Sequence, residues 1–160
     1  MTIGWRKSLR TSQPLTDTSL DVRSERFDLK PRPCPPLAQA LKTASPTATS
    51  KDGTITRLAL KLAEGPTRGE IQAMRVGPIR WISLPGEPFV ETGLTLKQAG
   101  ANFVVGYANG YLGYFPIRRA YEEGGYEVIQ GAWSRVAPGS AERLQSIGVR
   151  LLHRLGATRN

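Results

Sequence analysis

Four prolines crowd the six positions from Pro31 to Pro36, and no helix or central strand survives that density. Proline fixes φ and has no amide hydrogen to donate. Residues 1–52 hold six of the twelve prolines, with many Ser and Thr, so they form a loop-rich N-terminal segment. Residues 53–160 are left to build an α/β unit. Within the first segment, Leu20, Val22, Phe27 and Leu29 alternate in part and fit one or two edge strands. Pro36 to Lys42 fits a short helical turn, and Ser45 to Asp52 reads as a linker.

Beyond residue 53 the punctuation sets a sequence of elements. Ile55, Leu58 and Leu62 fit a helical face, while Leu58, Leu60 and Leu62 fit strand alternation; good helix formers before Gly65-Pro66 favour the helix. Ile71 to Val76 and Ile79 to Leu84 are β-rich runs around Gly77-Pro78, which predicts a hairpin with Met74 and Trp81 in the core. Pro85-Gly86 stops the second strand, and Pro88 is placed to open a helix running to Ala99, with Phe89, Gly93 and Leu96 on one face and Val90 and Leu94 on the next. Phe103 to Tyr107 is compact and apolar, a strand expected to be buried on both faces. A short helix over Ile117 to Glu123 ends at Gly124-Gly125. The chain closes on an amphipathic helix capped by Ser140, carrying Glu142 in its first turn and Leu144, Ile147, Leu151, Leu152 and Leu155 inward. Strands alternating with helices predict a mixed sheet flanked by helices, with polar groups gathered at strand ends, where ligands of such sheets sit.

Composition removes several classes. No apolar run approaches the roughly 18 to 20 residues of a membrane span, and the basic start from Met1 to Arg10 lacks the apolar stretch of a secretory signal. The compartment stays open. A single cysteine, Cys34, excludes an internal disulfide and a thiolate cluster. The net charge of +9 is scattered, with Arg6-Lys7 and Arg118-Arg119 as adjacent pairs and no stripe, so no nucleic-acid partner is expected.

The residues with chemical potential lie on two successive strand-end loops. Leu84-Pro85-Gly86-Glu87-Pro88-Phe89 offers a carboxylate at a helix entry, and Asn109-Gly110-Tyr111-Leu112-Gly113-Tyr114 offers phenols in a glycine-rich turn. Taken alone, Glu87 is a helix-start carboxylate, and Tyr107, Tyr111 and Tyr114 are amphipathic packing aromatics. His153, the one histidine, sits in the closing helix, partly buried or at its dipole's negative end.

Together with Tyr121, ten positions beyond Tyr111, and Tyr126-Glu127, fifteen beyond, these motifs resemble the later part of the catalytic domain of neutral/alkaline ceramidases, the zinc-dependent amidases that cleave the N-acyl bond of ceramide. The resemblance spans roughly positions 20 to 155 and is dense from Glu70 to Val128. It implies Glu87 and Tyr111 as zinc ligands, Tyr121 as the group that steadies the oxyanion, and Asn109, Tyr126 and Glu127 as a supporting shell. The substrate it implies is ceramide or a related N-acyl lipid at a membrane or micelle surface. The family's two histidine ligands, its active-site serine and the groups that grip the amide belong to an earlier half with no counterpart here. The resemblance therefore implies a partial catalytic domain, from a truncated reading frame, a split gene with a separately encoded N-terminal half, or a decayed copy. The rival expectation is a non-catalytic remnant or interaction domain that pairs with a partner chain, since half an α/β domain leaves edges and apolar faces to cover.

Overall fold

The computed structural model of the chain describes residues 12–32, 68–129 and 133–156. The expected turn over 36–42, the linker over 45–52, the segment 54–64 and Cys34 lie outside the described residues. Strand β1 (Leu20–Asp28) pairs antiparallel with β2 (Arg68–Val76), and β2 turns back through Gly77-Pro78 into β3 (Ile79–Ser83), as the hairpin signal predicts. A two-residue strand β4 (Glu87–Pro88) then leads into helix α1 (Val90–Gln98), which returns the chain to β5 (Phe103–Val105), parallel to β3. The main sheet thus runs β1-β2-β3-β5. Beyond it, β6 (Tyr114–Phe115) pairs in parallel with β4, followed by α2 (Ala120–Glu123), a 3-10 turn (Tyr126–Val128) and the closing helix α3 (Ser140–Arg154). The architecture is the expected mixed sheet with flanking helices.

Helix α3 supplies the hydrophobic cover. Leu144, Ile147, Leu151 and Leu152 are buried against Phe27, Ile71, Ala73 and Ile82 of the sheet, each such side chain stabilising by about 1.5–3 kcal/mol. Polar clasps fix its angle: Arg150 Nη2 donates to both carboxylate oxygens of Glu25, at 2.6 and 2.7 Å, and the amide of Gly156 donates to Asp21 at 2.8 Å. Helix α1 packs on α3 through Thr92 and Leu96. A Cβ at Gly148 would lie 2.5 Å from Leu96 Cδ2, so the missing side chain is what lets the helices meet so closely.

Several expectations are corrected. Met74 and Trp81 face each other across the hairpin but are half-buried, because the core takes the opposite parity, Ile71, Ala73 and Ile82. Alternation gives two faces and does not say which one the helix covers. The strand expected to be buried on both faces is instead a sheet edge: β5 pairs with β3, and Phe103 and Val105 are 59% and 43% exposed. Helix α1 begins at Val90 rather than Pro88, and its inward face is Thr92 and Leu96, leaving Val90 and Leu94 exposed at 71% and 53%. At the closing helix Gly139 is the N-cap; Ser140 is the first helical residue and its hydroxyl donates back to the Ala137 carbonyl at 2.6 Å. Glu142 accepts the Arg118 amide at 2.9 Å. His153 is exposed in the last turn.

Candidate functional site

A web of backbone hydrogen bonds holds three loops together at the ends of β3 and β5. The amide of Glu87 donates to the Gly113 carbonyl at 2.9 Å, that of Tyr107 to Gly86 at 2.9 Å, that of Ala108 to Leu84 at 3.0 Å, and that of Leu112 to Pro85 at 2.9 Å. Two glycines make this threading feasible. A Cβ at Gly86 would stand 2.4 Å from the Gly113 carbonyl oxygen, and one at Gly113 would stand 2.4 Å from that of Trp133. Tyr107 and Asn109 adopt left-handed backbone angles, φ 54° and 61°, a conformation that costs non-glycine residues energy and gathers where geometry is over-determined.

The result is a convergence of oxygens. Tyr111 Oη donates to Glu87 Oε1 at 2.6 Å, a short, charge-assisted bond. Tyr107 and Tyr114 line the same cavity as the carboxylate; the register that sets Tyr114 beside Glu87 comes from the β4–β6 pairing. Burial pushes the Glu87 pKa up, but the three phenols outweigh it and hold the group below its ordinary value. The phenols respond in the opposite sense. Hydrogen bonding to Glu87, then burial, then the Glu87 charge push Tyr107 up to about 12. Burial followed by the same partner pushes Tyr111 up, and Tyr114 rises chiefly through its hydrogen bond to Glu87.

Aromatic stacking frames the carboxylate. Tyr107 and Tyr111 stack with centroids 5.6 Å apart, Tyr126 meets Tyr114 edge-on at 6.1 Å, and Tyr126 stacks on Trp133 at 5.4 Å. Glu127 lines the same cavity as Glu87, about 660 Å³ in volume. The supporting positions therefore divide. Tyr126 and Glu127 lie at the Glu87 site, whereas Asn109 lines a separate cavity with Arg26, Asp28, Arg68 and Glu70. Tyr121 stands apart as well: its hydroxyl donates to the Val136 carbonyl at 2.9 Å, the guanidinium of Arg32 lies 5.2 Å over its ring, and it does not line the Glu87 cavity. Burial, the leading cause, raises its pKa. Tyr107 and Tyr114 are the site residues that sequence reasoning passed over as packing aromatics. Three of the five tyrosines fall between positions 107 and 114, and that density was the available signal.

Whether zinc fits rests on the donor set. Two hard oxygens meet at Glu87 and Tyr111, and oxygens sharing one tetrahedral zinc at about 2.1 Å stand about 3.4 Å apart. The pair would need to open by about 0.8 Å from its proton-bridged distance, within side-chain rotation. The donor chemistry fits; the donor number falls short of the three protein ligands of a catalytic zinc. Among the described residues no group of three His, Cys, Asp or Glu gathers to hold a metal.

No protein-family model matches the chain. The fold is that of a piece of a ceramidase: the crystal structure of neutral ceramidase from Pseudomonas aeruginosa superposes with a TM-score of 0.54 at 20% identity, over 86% of this chain and 28% of that one. A ceramidase complexed with C2 gives a TM-score of 0.48 at 24% identity, over 74% of this chain and 18% of that one. In sequence, the chain is 33% identical over 79 residues to the neutral ceramidase of Mycobacterium tuberculosis, covering 42% of this chain and 12% of that protein's length. The chain carries a neutral-ceramidase-like region and spans a small part of the relatives it matches.

Proposed function

We propose that this chain forms the later part of a ceramidase-like amidohydrolase catalytic domain, acting on the N-acyl amide bond of ceramide or a related N-acyl lipid at a membrane or micelle surface. The observation that carries the reading is the 2.6 Å meeting of Tyr111 Oη with Glu87 Oε1 from two separate loops, at positions where the sequence resemblance places metal ligands. Glu87 and Tyr111 would hold zinc jointly with donors from outside these 160 residues, which contain a single, distant-in-sequence histidine. When bound, zinc supplies Lewis acidity for activating water. The chain's own contribution is positional: the backbone web fixes both oxygens, and the phenols beside Glu87 keep its pKa below the ordinary value. Tyr121 is assigned to the developing oxyanion. For that role substrate would have to reach its hydroxyl at the Val136 carbonyl, outside the residues that line the Glu87 cavity.

The test is release of free amine from an N-acyl sphingoid lipid in mixed micelles, with zinc and the histidine-bearing half of a neutral ceramidase added in trans. The reading expects turnover that Glu87→Ala abolishes. Turnover indifferent to Glu87→Ala overturns it.

A second reading, an interaction domain covered by another polypeptide, rests on a specific row. Val22, Met74, Trp81 and Phe103 lie side by side across all four strands on the face away from α3. If this face is the purpose of the chain, charged substitution at Phe103 prevents partner capture while Glu87→Ala does not.

A further inference from the structure

Cations that lie scattered along the sequence are gathered at one point by the fold. A cavity of about 250 Å³ opens where the end of β1, the loop before α2 and the start of α3 meet, and Lys30, Arg118 and Arg143 line it. Each is pinned by its backbone. The Lys30 carbonyl accepts the Ala137 amide at 3.0 Å, the Arg118 amide donates to Glu142 Oε1 at 2.9 Å, and the Arg143 amide donates to the Gly139 carbonyl at 3.1 Å. A Cβ at Gly139 would stand 2.8 Å from Arg118 Nη2, so the glycine is what lets the guanidinium lie over the start of α3. The three charges are unspent. Arg23, Arg26, Arg68, Arg75, Arg119 and Arg150 each pair with a carboxylate at 2.6 to 3.8 Å, whereas among the described residues no carboxylate pairs with the side chains of Lys30, Arg118 or Arg143, and no acidic side chain lines the cavity. Glu142 takes the Arg118 amide, not its guanidinium. Like charges held around one concavity repel, and an anion seated among them turns that cost into attraction.

We propose that this cavity binds a phosphate group, as the free ion or on a monoester, held by the side chains of Lys30, Arg118 and Arg143. Phosphate brings close to two negative charges and at least three acceptor oxygens, so each cation receives its own oxygen and an arginine fork can take two. A carboxylate brings one charge and two oxygens, which leaves part of the cluster unpaired. All three side chains are exposed at the cavity's edge, so the ligand enters from solvent and its affinity falls as salt rises. The start of α3 serves as scaffold; side-chain charge carries the site. The inference goes beyond the amidohydrolase reading, since it uses no residue of the Glu87 cavity and needs neither metal nor hydrolysis.

The experiment is calorimetric titration of the full chain with inorganic phosphate and with acetate, in metal-free buffer at constant ionic strength. Phosphate should saturate one site and bind at least about tenfold more tightly than acetate. Arg118→Gln and Arg143→Gln should each weaken phosphate by about threefold to tenfold. Arg154→Gln, an equal loss of charge in the last turn of α3, should leave it unchanged. Circular dichroism confirms the fold of each variant, and Lys30→Gln gives the same reading if either of the first two fails to fold. Phosphate binding that does not saturate, equal affinity for phosphate and acetate, or a loss in Arg154→Gln matching that in Arg118→Gln overturns the proposal. Co-sedimentation with phosphatidylcholine vesicles, with and without phosphatidic acid, identifies the source of the phosphate. Phosphatidic-acid-dependent sedimentation that inorganic phosphate displaces and Arg143→Gln weakens puts the group on a lipid; phosphate binding without sedimentation makes it a free ion or a soluble ester. Glu87→Ala should bind phosphate as the native chain does, so failure of the metal reading leaves this one standing and the reverse holds equally.

Discussion

Replacing Glu87 with Gln removes the charge around which three phenols are arranged, and the tyrosines themselves report the loss. In the native chain, ionising Tyr107 sets a second negative charge beside the Glu87 carboxylate, and this proximity, with burial, pushes its pKa up to about 12 against an ordinary 10.0. At pH 11 a phenol with an ordinary pKa of 10 is about 90% ionised, and one at about 12 only about 10%. Tyr111 is held up by burial and then by the same carboxylate, and Tyr114 chiefly by the carboxylate. Glu87→Gln should therefore shift all three downward and produce a large excess of phenolate absorbance at pH 11. The sign for stability follows from the raised phenol pKa. The contribution of the Tyr107–Glu87 contact is complete below the unfolded phenol value near 10 and is lost as pH rises through about 12. The assay is near-ultraviolet absorbance titration, with circular dichroism confirming the fold at each pH. Superimposable titration curves for the native chain and Glu87→Gln would refute the convergence of phenols on this carboxylate.

On the acid side, Glu87 has a lowered pKa, so its contribution is present above the unfolded carboxylate value of 4.5 and disappears as pH falls through the folded one; thermal melts between pH 6 and pH 3 should show Glu87→Gln losing less stability than the native chain, and equal losses would contradict it. Gly113→Ala forces a side chain into a left-handed site, φ 83°, 2.4 Å from the Trp133 carbonyl oxygen, and should cost about 2–3 kcal/mol in urea denaturation; an unchanged midpoint counts against the threaded loops. Leu152→Ala, fully buried on α3, should cost about 2–5 kcal/mol, whereas Leu94→Ala on the exposed face of α1 should stay within about 0.5 kcal/mol. Similar losses at both positions would reverse the assignment of α1's inward face.

Much of the scaffold was legible because it rests on local rules. Gly77-Pro78 between two β-rich runs sets the hairpin, and the spacing from Leu144 to Leu152 sets the closing helix. What escaped depended on which surface the rest of the chain covers. The parity of Met74 and Trp81, the edge position of Phe103 and the outward turn of Val90 and Leu94 are decided by where α3 lies, and no periodicity within one element records that. At the site, the meeting of Glu87 with Tyr111 followed from a motif resemblance. The recruitment of Tyr107 and Tyr114 follows from two features short-range reading misses, the left-handed turn at Tyr107 and the two-residue β4–β6 pairing. Tyr121 illustrates the converse. Its spacing matched the resemblance, yet its hydroxyl lies on Val136, clear of the cavity lining.

The most direct measurement is a zinc difference spectrum near neutral pH. Tyr111 is held protonated there by burial and by Glu87, so the metal-free chain shows no phenolate. A cation shared by the two oxygens must displace the proton between them. The account predicts one tyrosine's worth of phenolate absorbance as zinc is added with the missing donors supplied in trans, abolished by Tyr111→Phe and by Glu87→Ala. Zinc that binds without generating phenolate, or a band that survives Tyr111→Phe, would contradict it.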